Sequence, residues 1–418
     1  MSNGGLSAAS SNVAETVLVS PRLKIPKIRG KTIAAARYRF QLLGAGRSTA
    51  LPQRKMVRAL MFAFVYWCLT FVPVAEALEN CAAGEQVCAF SKFVFKVEIG
   101  GRVGSAVYAG RRIVVANRHI VLDDSVAKLT DKFGQVYTAR VIPNDQHEDL
   151  VLLDVDNLDR GPLPWRSEAV SRGESVHIVG YEQATNAIKV FPAGIVLLPP
   201  AANRLSRIQH IAKAATGSSG AGLVTADGKL VGIATSGDER RGDAIPVGRV
   251  GALEAHSSEQ HRIIHNAIGR QYKTCQETLR RMPIRRARLA KRAVEYLTRV
   301  CRKTQNTHLL DDAGQILGRA GHVKEGKAVF SQALELDPYA LNNRIGLVIT
   351  LLLSGGATEA LPHAKWLYEL LPHDKEVLRL AVQTGKRGGD IELARQALTT
   401  LENLDPALAV PLRSYLAR

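Results

Sequence analysis

Two periodicities divide the chain. Between about 90 and 250 the apolar runs are short and end at glycine or acidic turns, which predicts β-strands. Gly104-Ser105-Ala106-Val107-Tyr108 is one such run, and Ala109-Gly110-Arg111-Arg112 is the turn after it. Residues 113–121, Ile-Val-Val-Ala-Asn-Arg-His-Ile-Val, predict a second, buried strand carrying a histidine at its end, and Leu150-Val151-Leu152-Leu153-Asp154-Val155 predicts a third. From about 307 the pattern turns helical and repeats. Pro338, Pro372 and Pro406 are 34 residues apart, as are Gly321, Gly355 and Gly389. Small residues (Gly314, Gly326, Ala360, Ala394) fall where paired helices would cross; Phe330, Ala364 and Leu398 share one column, and Leu317 and Leu351 another. Gly385 interrupts that second column, which suggests a capping unit. Asp337-Pro338 and Asp405-Pro406 are stop signals for the second helix of a hairpin.

A length of 418 residues and 46% hydrophobic content fit two or three folded domains. The first 55 residues are basic and rich in Ser and Ala, and predict a disordered extension or an over-extended start. Residues 56–77 then read as a secretory signal peptide: Arg54, Lys55 and Arg58 precede an apolar run, and Ala75-Glu76-Ala77 follows it. Met56 would serve as the start of a leader of ordinary length, and an uncleaved single-pass anchor is the alternative. Residues 1–77 hold 11 Lys/Arg and two Asp/Glu, half of the net charge of +18. The charge left after them is too diffuse to indicate nucleic acid. The densest basic stretch, Arg280 to Arg292, predicts a solvated face on an amphipathic linker helix over 256–306, with weak contact to an anionic membrane as a second reading.

Outside the leader the cysteines are Cys81, Cys88, Cys275 and Cys301. Export predicts disulfides, and of three pairings the local one, Cys81–Cys88 with Cys275–Cys301, fits the layout best. His261 and His265 lie four apart without a third metal ligand and are assigned to a solvated helix face, so no metal or organic cofactor is expected.

Candidate chemistry lies in Gly217-Ser218-Ser219-Gly220-Ala221-Gly222, His119 and Asp149. A serine between glycines presents its hydroxyl beside backbone N–H groups that can hold an oxyanion. A serine nucleophile also needs a base, and the base an acid to fix its tautomer.

Residues from about 90 to 250 resemble the trypsin-like domain of the Deg/HtrA proteases. Ala116-Asn117-Arg118-His119-Ile120-Val121 is similar to that family's T-N-A-H-V-V, Asp149-Leu150-Val151-Leu152-Leu153 to T-D-L-A-L-L, and Gly217 to Val224 to G-N-S-G-G-P-L-V. Asp227 to Ile233 and Ala244 to Val247 match the strands that follow. The resemblance implies His119 as general base, Asp149 as orienting acid, Ser219 as nucleophile, and the N–H groups of Gly217 and Ser219 as the oxyanion hole; Ser218 is the fallback nucleophile. Arg118 departs from the family's small residue, where a long cation would crowd the base or lower its pKa, while Thr216 and Ala221-Gly222 replace proline-containing neighbours. The 34-residue period resembles tetratricopeptide (TPR) repeats.

The expected architecture is therefore an all-β trypsin-like double barrel (78–255), a helical basic linker (256–306) and an all-α array of three TPR repeats (307–418). The expected function is exported, periplasmic serine endopeptidase activity on protein or peptide substrates, with a protein partner for the repeats and homo-oligomerisation left open. A catalytically inactive scaffold is the alternative. An esterase is disfavoured, because alanine ends the elbow pattern and the His-Asp-Ser order is wrong for that fold.

Overall fold

The computed structural model describes residues 81–418, apart from 204, 238–239 and 284–288. The expectations for 1–55 and for the 56–77 leader lie outside the described residues.

Helix α1 (Glu85–Ala89), tied to the preceding chain by a Cys81–Cys88 disulfide, leads into the first barrel. Its strands are β1 (Val94–Ile99), β2 (Arg102–Gly110), β3 (Ile113–Ala116), β4 (Val126–Asp131), β5 (Val136–Ile142) and β6 (Val151–Val155), closed in the order β1-β2-β3-β6-β5-β4. Alternate side chains point inward, so Phe95, Val97, Val107, Leu129, Val141 and Leu152 fill the interior. β3 pairs antiparallel with β6, with Ala116 opposite Val151. The chain leaving β3 and the chain entering β6 therefore lie side by side at one end of the barrel, which is where His119 and Asp149 fall.

The second barrel comprises β7 (Ser175–Glu182), β8 (Ala187–Val190), β9 (Gly194–Leu198), β10 (Ile208–His210), β11 (Gly222–Thr225), β12 (Leu230–Gly237) and β13 (Gly242–Pro246). β11 pairs with both β12 and β7, which closes a six-stranded ring through β13, β10 and β9; β8 is a hairpin partner outside it.

One strand ends earlier than its apolar run predicts. β3 stops at Ala116, and Arg118–Val121 forms a single helical turn, α2. The cause is polar: the Asn117 side chain (3.0 Å) and the Arg118 N–H (3.2 Å) both donate to the Asp149 carbonyl and bend the chain off the sheet.

After α3 (Gly248–Glu254) come α4 (Arg262–Arg281) and α5 (Lys291–Arg302), joined by a Cys275–Cys301 disulfide. The amphipathic linker helix expected over 256–306 is two helices, and their apolar side is packed. Tyr272, Cys275, Leu297 and Cys301 are buried in one cluster with Leu122 of the first barrel, because α4 lays its apolar stripe on the chain that follows His119. The remaining helices form hairpins: α6 (Thr307–Arg319) with α7 (Val323–Leu336), α8 (Leu341–Leu353) with α9 (Ala357–Leu370), α10 (Lys375–Gly388) with α11 (Ile391–Leu404), and then α12 (Pro406–Ala417). The glycine period marks the turn inside each hairpin. Gly321, Gly355 and Gly389 have φ near +85° (83°, 84° and 89°), and the next N–H donates back to the carbonyl of Leu317, Leu351 or Gly385. Gly385 replaces leucine because a Cβ there would meet the Asp390 carbonyl oxygen at 2.7 Å.

Candidate active site

His119 sits on the α2 turn with its Nδ1 2.7 Å from Asp149 Oδ2, while its own backbone N–H donates to Asp149 Oδ1 at 2.9 Å. Asp149 is fully buried and also accepts from Thr235 Oγ1 at 2.7 Å. Burial alone would push this carboxyl up. The facing His119, Arg207 and the Thr235 hydroxyl outweigh it and hold Asp149 at about 2. With Nδ1 held by this doubly anchored carboxylate, Nε2 is the ring nitrogen left to exchange a proton.

Ser219 lies in the turn between β10 and β11, and its hydroxyl donates to the Thr235 carbonyl at 3.2 Å. The structure thus brings His119 and Asp149 into direct contact, and joins Ser219 to them through Thr235, whose side chain holds the acid and whose carbonyl holds the serine. Among the described residues no hydrogen bond links Ser219 directly to His119. Ser218, the fallback nucleophile, is buried (4% exposed), and its Oγ accepts the Ala215 N–H at 3.1 Å.

The turn that carries Ser219 is built around Ser105 on β2. The Ser105 N–H donates to the Ser219 carbonyl (2.7 Å), its Oγ donates to the Gly217 carbonyl (2.7 Å), and the same Oγ accepts from the Tyr181 N–H (2.8 Å). Gly220, at φ +87°, passes so close that a Cβ would reach the Ser105 carbonyl oxygen. The Thr216 carbonyl is taken by the Gln183 N–H at 2.9 Å. In a trans peptide N–H and C=O point opposite ways, so this bond turns the Gly217 N–H away from Gln183. Among the described residues neither the Gly217 nor the Ser219 N–H has an acceptor, which leaves two donors beside the Ser219 hydroxyl.

Arg118 does not crowd His119. Its side chain is buried away from the His119 ring, bonded to Asn144 Oδ1, to the carbonyls of Gln146 (3.0 Å) and Glu148 (3.4 Å), and to His265 Nδ1 (3.3 Å). Burial pulls its pKa below the usual arginine range. The assignment of His265 to a solvated face is likewise overturned. α4 begins at Arg262, its inner face packs on the first barrel, and His265 is fully buried, its Nδ1 also accepting the Asn144 N–H at 3.2 Å. Burial, then the charges of Arg118 and Arg262, depress His265 from 6.5 to about 3. Below pH 6.5 the unfolded chain therefore binds a proton that the folded chain refuses. Stability is expected to fall as pH drops from 6.5 toward 3, by up to about 1.4 kcal/mol per pH unit. Urea midpoints at pH 7 and pH 5 should differ less in His265→Asn than in the parent protein; equal differences would remove His265 as the cause.

Further residues supporting the site carry no motif. Glu148 pairs with Arg207 (2.7 Å) and Arg249 (2.8 Å) and accepts the Asp149 N–H (3.3 Å). Gln276 of α4 donates to the His119 carbonyl (3.1 Å). Among the described residues no His, Cys, Asp and Glu side chains are grouped to hold a metal, and no helix is long and apolar enough to cross a membrane.

Residues 104–233 match the trypsin-like peptidase domain. The chain is also similar to Serine protease HTRA1B of Danio rerio, 28% identical over 172 residues, which are 39% of this chain. It spans about a third (36%) of the length of that curated relative. Among solved structures it is similar to the Rv3671c protease of M. tuberculosis in an inactive form (21% identity, 41% of this chain and 91% of that one, TM-score 0.36). It is also similar to the serine endoprotease from Yersinia pestis (23% identity, 41% of this chain and 64% of that one, TM-score 0.37). The trypsin-like peptidase domain thus covers Ser105, His119, Asp149, Gly217 and Ser219, and ends before Thr235.

Proposed function

We propose that this protein is an exported serine endopeptidase whose C-terminal helices are TPR repeats that engage protein. The observation that carries the reading is the doubly anchored Asp149: it holds His119 at 2.7 Å and, through Thr235, the element on which Ser219 rests. In this mechanism His119 Nε2 takes the Ser219 proton as Oγ attacks the peptide carbonyl. The N–H groups of Gly217 and Ser219 stabilise the oxyanion, and His119⁺ returns the proton to the departing amine. Water then attacks the acyl-enzyme by the same route and releases Ser219. Attack requires the Ser219 hydroxyl to leave the Thr235 carbonyl for His119, a side-chain rotation that substrate binding would select.

Two features support export. Disulfides persist in oxidising compartments and this chain has two, and the apolar run with its Ala75-Glu76-Ala77 end has the form of a leader. The 34-residue period and the repeated hairpins support the TPR reading.

The test is fluorophosphonate labelling of the chain from Leu78 onward, with the adduct mapped by mass spectrometry. Label on Ser219 is expected. A folded, disulfide-intact protein that takes no label, or takes it on another residue, would favour the non-catalytic scaffold.

A further inference from the structure

A cavity of about 390 Å³ lies between the inner helices of the array and the β12–β13 hairpin, a size within the usual range of ligand sites. One wall is Gly237 at the end of β12 with Arg240 after it; the other is mixed, an apolar strip of Ile345, Ile349 and Leu353 on α8 beside the charged side chains of Asp311, Asp312 and Arg319 on α6. Ile345 is buried, whereas Leu353 is 52% exposed on this inner face. The wall on the barrel side is held firmly. Arg241, itself 4% exposed, reaches from the hairpin to Asp374 (2.5 Å), Glu376 (2.8 Å) and Asn342 Oδ1 (3.2 Å).

The same hairpin begins at the catalytic residues proposed above. On the β11 side the backbone bonds of β12 end at Ala234, which accepts from the Gly220 N–H and donates to the Ala221 carbonyl, so the edge from Thr235 to Gly237 has no strand partner among the described residues and its Thr235 carbonyl takes only the Ser219 hydroxyl. An open strand edge accepts an extended chain by backbone hydrogen bonding. The direction follows from the chemistry. His119 must protonate the departing amine, so the leaving half of the substrate lies toward the first barrel and the acyl half along β12. A chain lying on Thr235 to Gly237 then enters the cavity where Gly237 forms its wall.

We infer that the cavity is a distal extension of the substrate cleft, which takes the acyl-side stretch of an unfolded polypeptide and selects aliphatic side chains against Ile345, Ile349 and Leu353. This rests on the endopeptidase reading. The array would then be part of the substrate-binding surface of the protease itself, rather than a tethered adaptor.

The probe is a randomised peptide pool ending in a fluorogenic amide, made short or with about ten residues on the acyl side, roughly 33 Å of extended chain. The expected kcat/KM of the long pool exceeds that of the short one by about tenfold or more, and cleaved long peptides are enriched in Leu, Ile and Val away from the scissile bond. In Leu353→Glu and Ile349→Glu the long-to-short ratio falls toward one, while Val410→Glu on α12 keeps it. The long pool, followed by anisotropy, also binds the Ser219→Ala protein and loses affinity with Leu353→Glu. Ser219 labelling with equal rates for both pools overturns the extended cleft and leaves the endopeptidase intact. A Leu353-dependent dimer with a ratio of one would assign the groove to a second copy, and also overturns it. Without labelling or cleavage the endopeptidase reading fails, and the anisotropy still decides whether the groove takes aliphatic chain.

Discussion

Replacing Ser219 by Ala, or His119 by Ala, is expected to lower kcat for peptide hydrolysis by roughly 10⁶-fold each, and the double substitution to cost no more than either one. The two groups act in one proton transfer, so removing either removes the whole of it. Asp149→Asn should cost about 10⁴-fold. Asp149 Oδ1 already accepts the His119 N–H and Oδ2 accepts from Thr235 Oγ1, so an amide there would turn an NH₂ group on one of these donors or on Nδ1. Nδ1 would then become an acceptor and Nε2 would carry the proton it has to receive. The Asn variant should keep its fold and its Ser219, so the loss appears in kcat while far-ultraviolet circular dichroism stays unchanged. Losses below about tenfold in all three variants would show that this constellation is not the catalytic one. Because Asp149 is held at about 2, its charge persists through mild acid. Its contribution to stability is present above the unfolded value of 3.8 and is lost as pH falls through 2.

The residues proposed to make the chemistry were legible because each sits at a break in an apolar run. His119 follows one, Asp149 precedes another, and Ser219 interrupts the glycine turn. The double barrel was legible in the same runs, and the hairpin turns in the 34-residue glycine period. What supports the site was not. Thr235 is one polar residue near the end of a strand, and nothing in its neighbourhood distinguishes a hydroxyl that grips a buried acid from one that faces water; its signal, if any, is its position after the apolar stretch Val231 to Ala234. His265 and Arg118 were misread for a related reason. Local pattern gives a helical or strand face but does not say which other element covers it, and here α4 covers Arg118 from a distance of 147 residues in the chain. Tertiary burial turned an expected surface histidine into a neutral acceptor for a buried guanidinium.

The same lack of local signal hides the connection between the C-terminal helices and Asp149, and this gives the second large effect. Arg207 stands between them. Its backbone N–H donates to Asp337 Oδ2 (3.1 Å) at the end of α7, where Ser206 Oγ also donates to Oδ1 (2.8 Å). Its guanidinium, 3% exposed, pairs with Glu148, next to Asp149 in the chain. Burial opposes the Arg207 charge, but Glu148, Asp243 and Asp149 more than compensate and keep it protonated. Arg207→Met would leave Glu148 with Arg249 as its remaining partner in a dry site, and removing one member of a buried pair costs about 3–5 kcal/mol. The expected result is a matching fall in the urea midpoint. Adding Glu148→Gln should recover part of it, because the second change removes the stranded carboxylate rather than a favourable contact. Asp149 would meanwhile lose one of the charges that hold it down, so the acid inactivation midpoint of Arg207→Met should move to higher pH. An exposed pair would give under about 1 kcal/mol and no recovery in the double variant, and that outcome would show that Arg207 merely covers the barrel end. The predicted outcome would instead make the junction of α7 with the second barrel a part of what holds Asp149 in place.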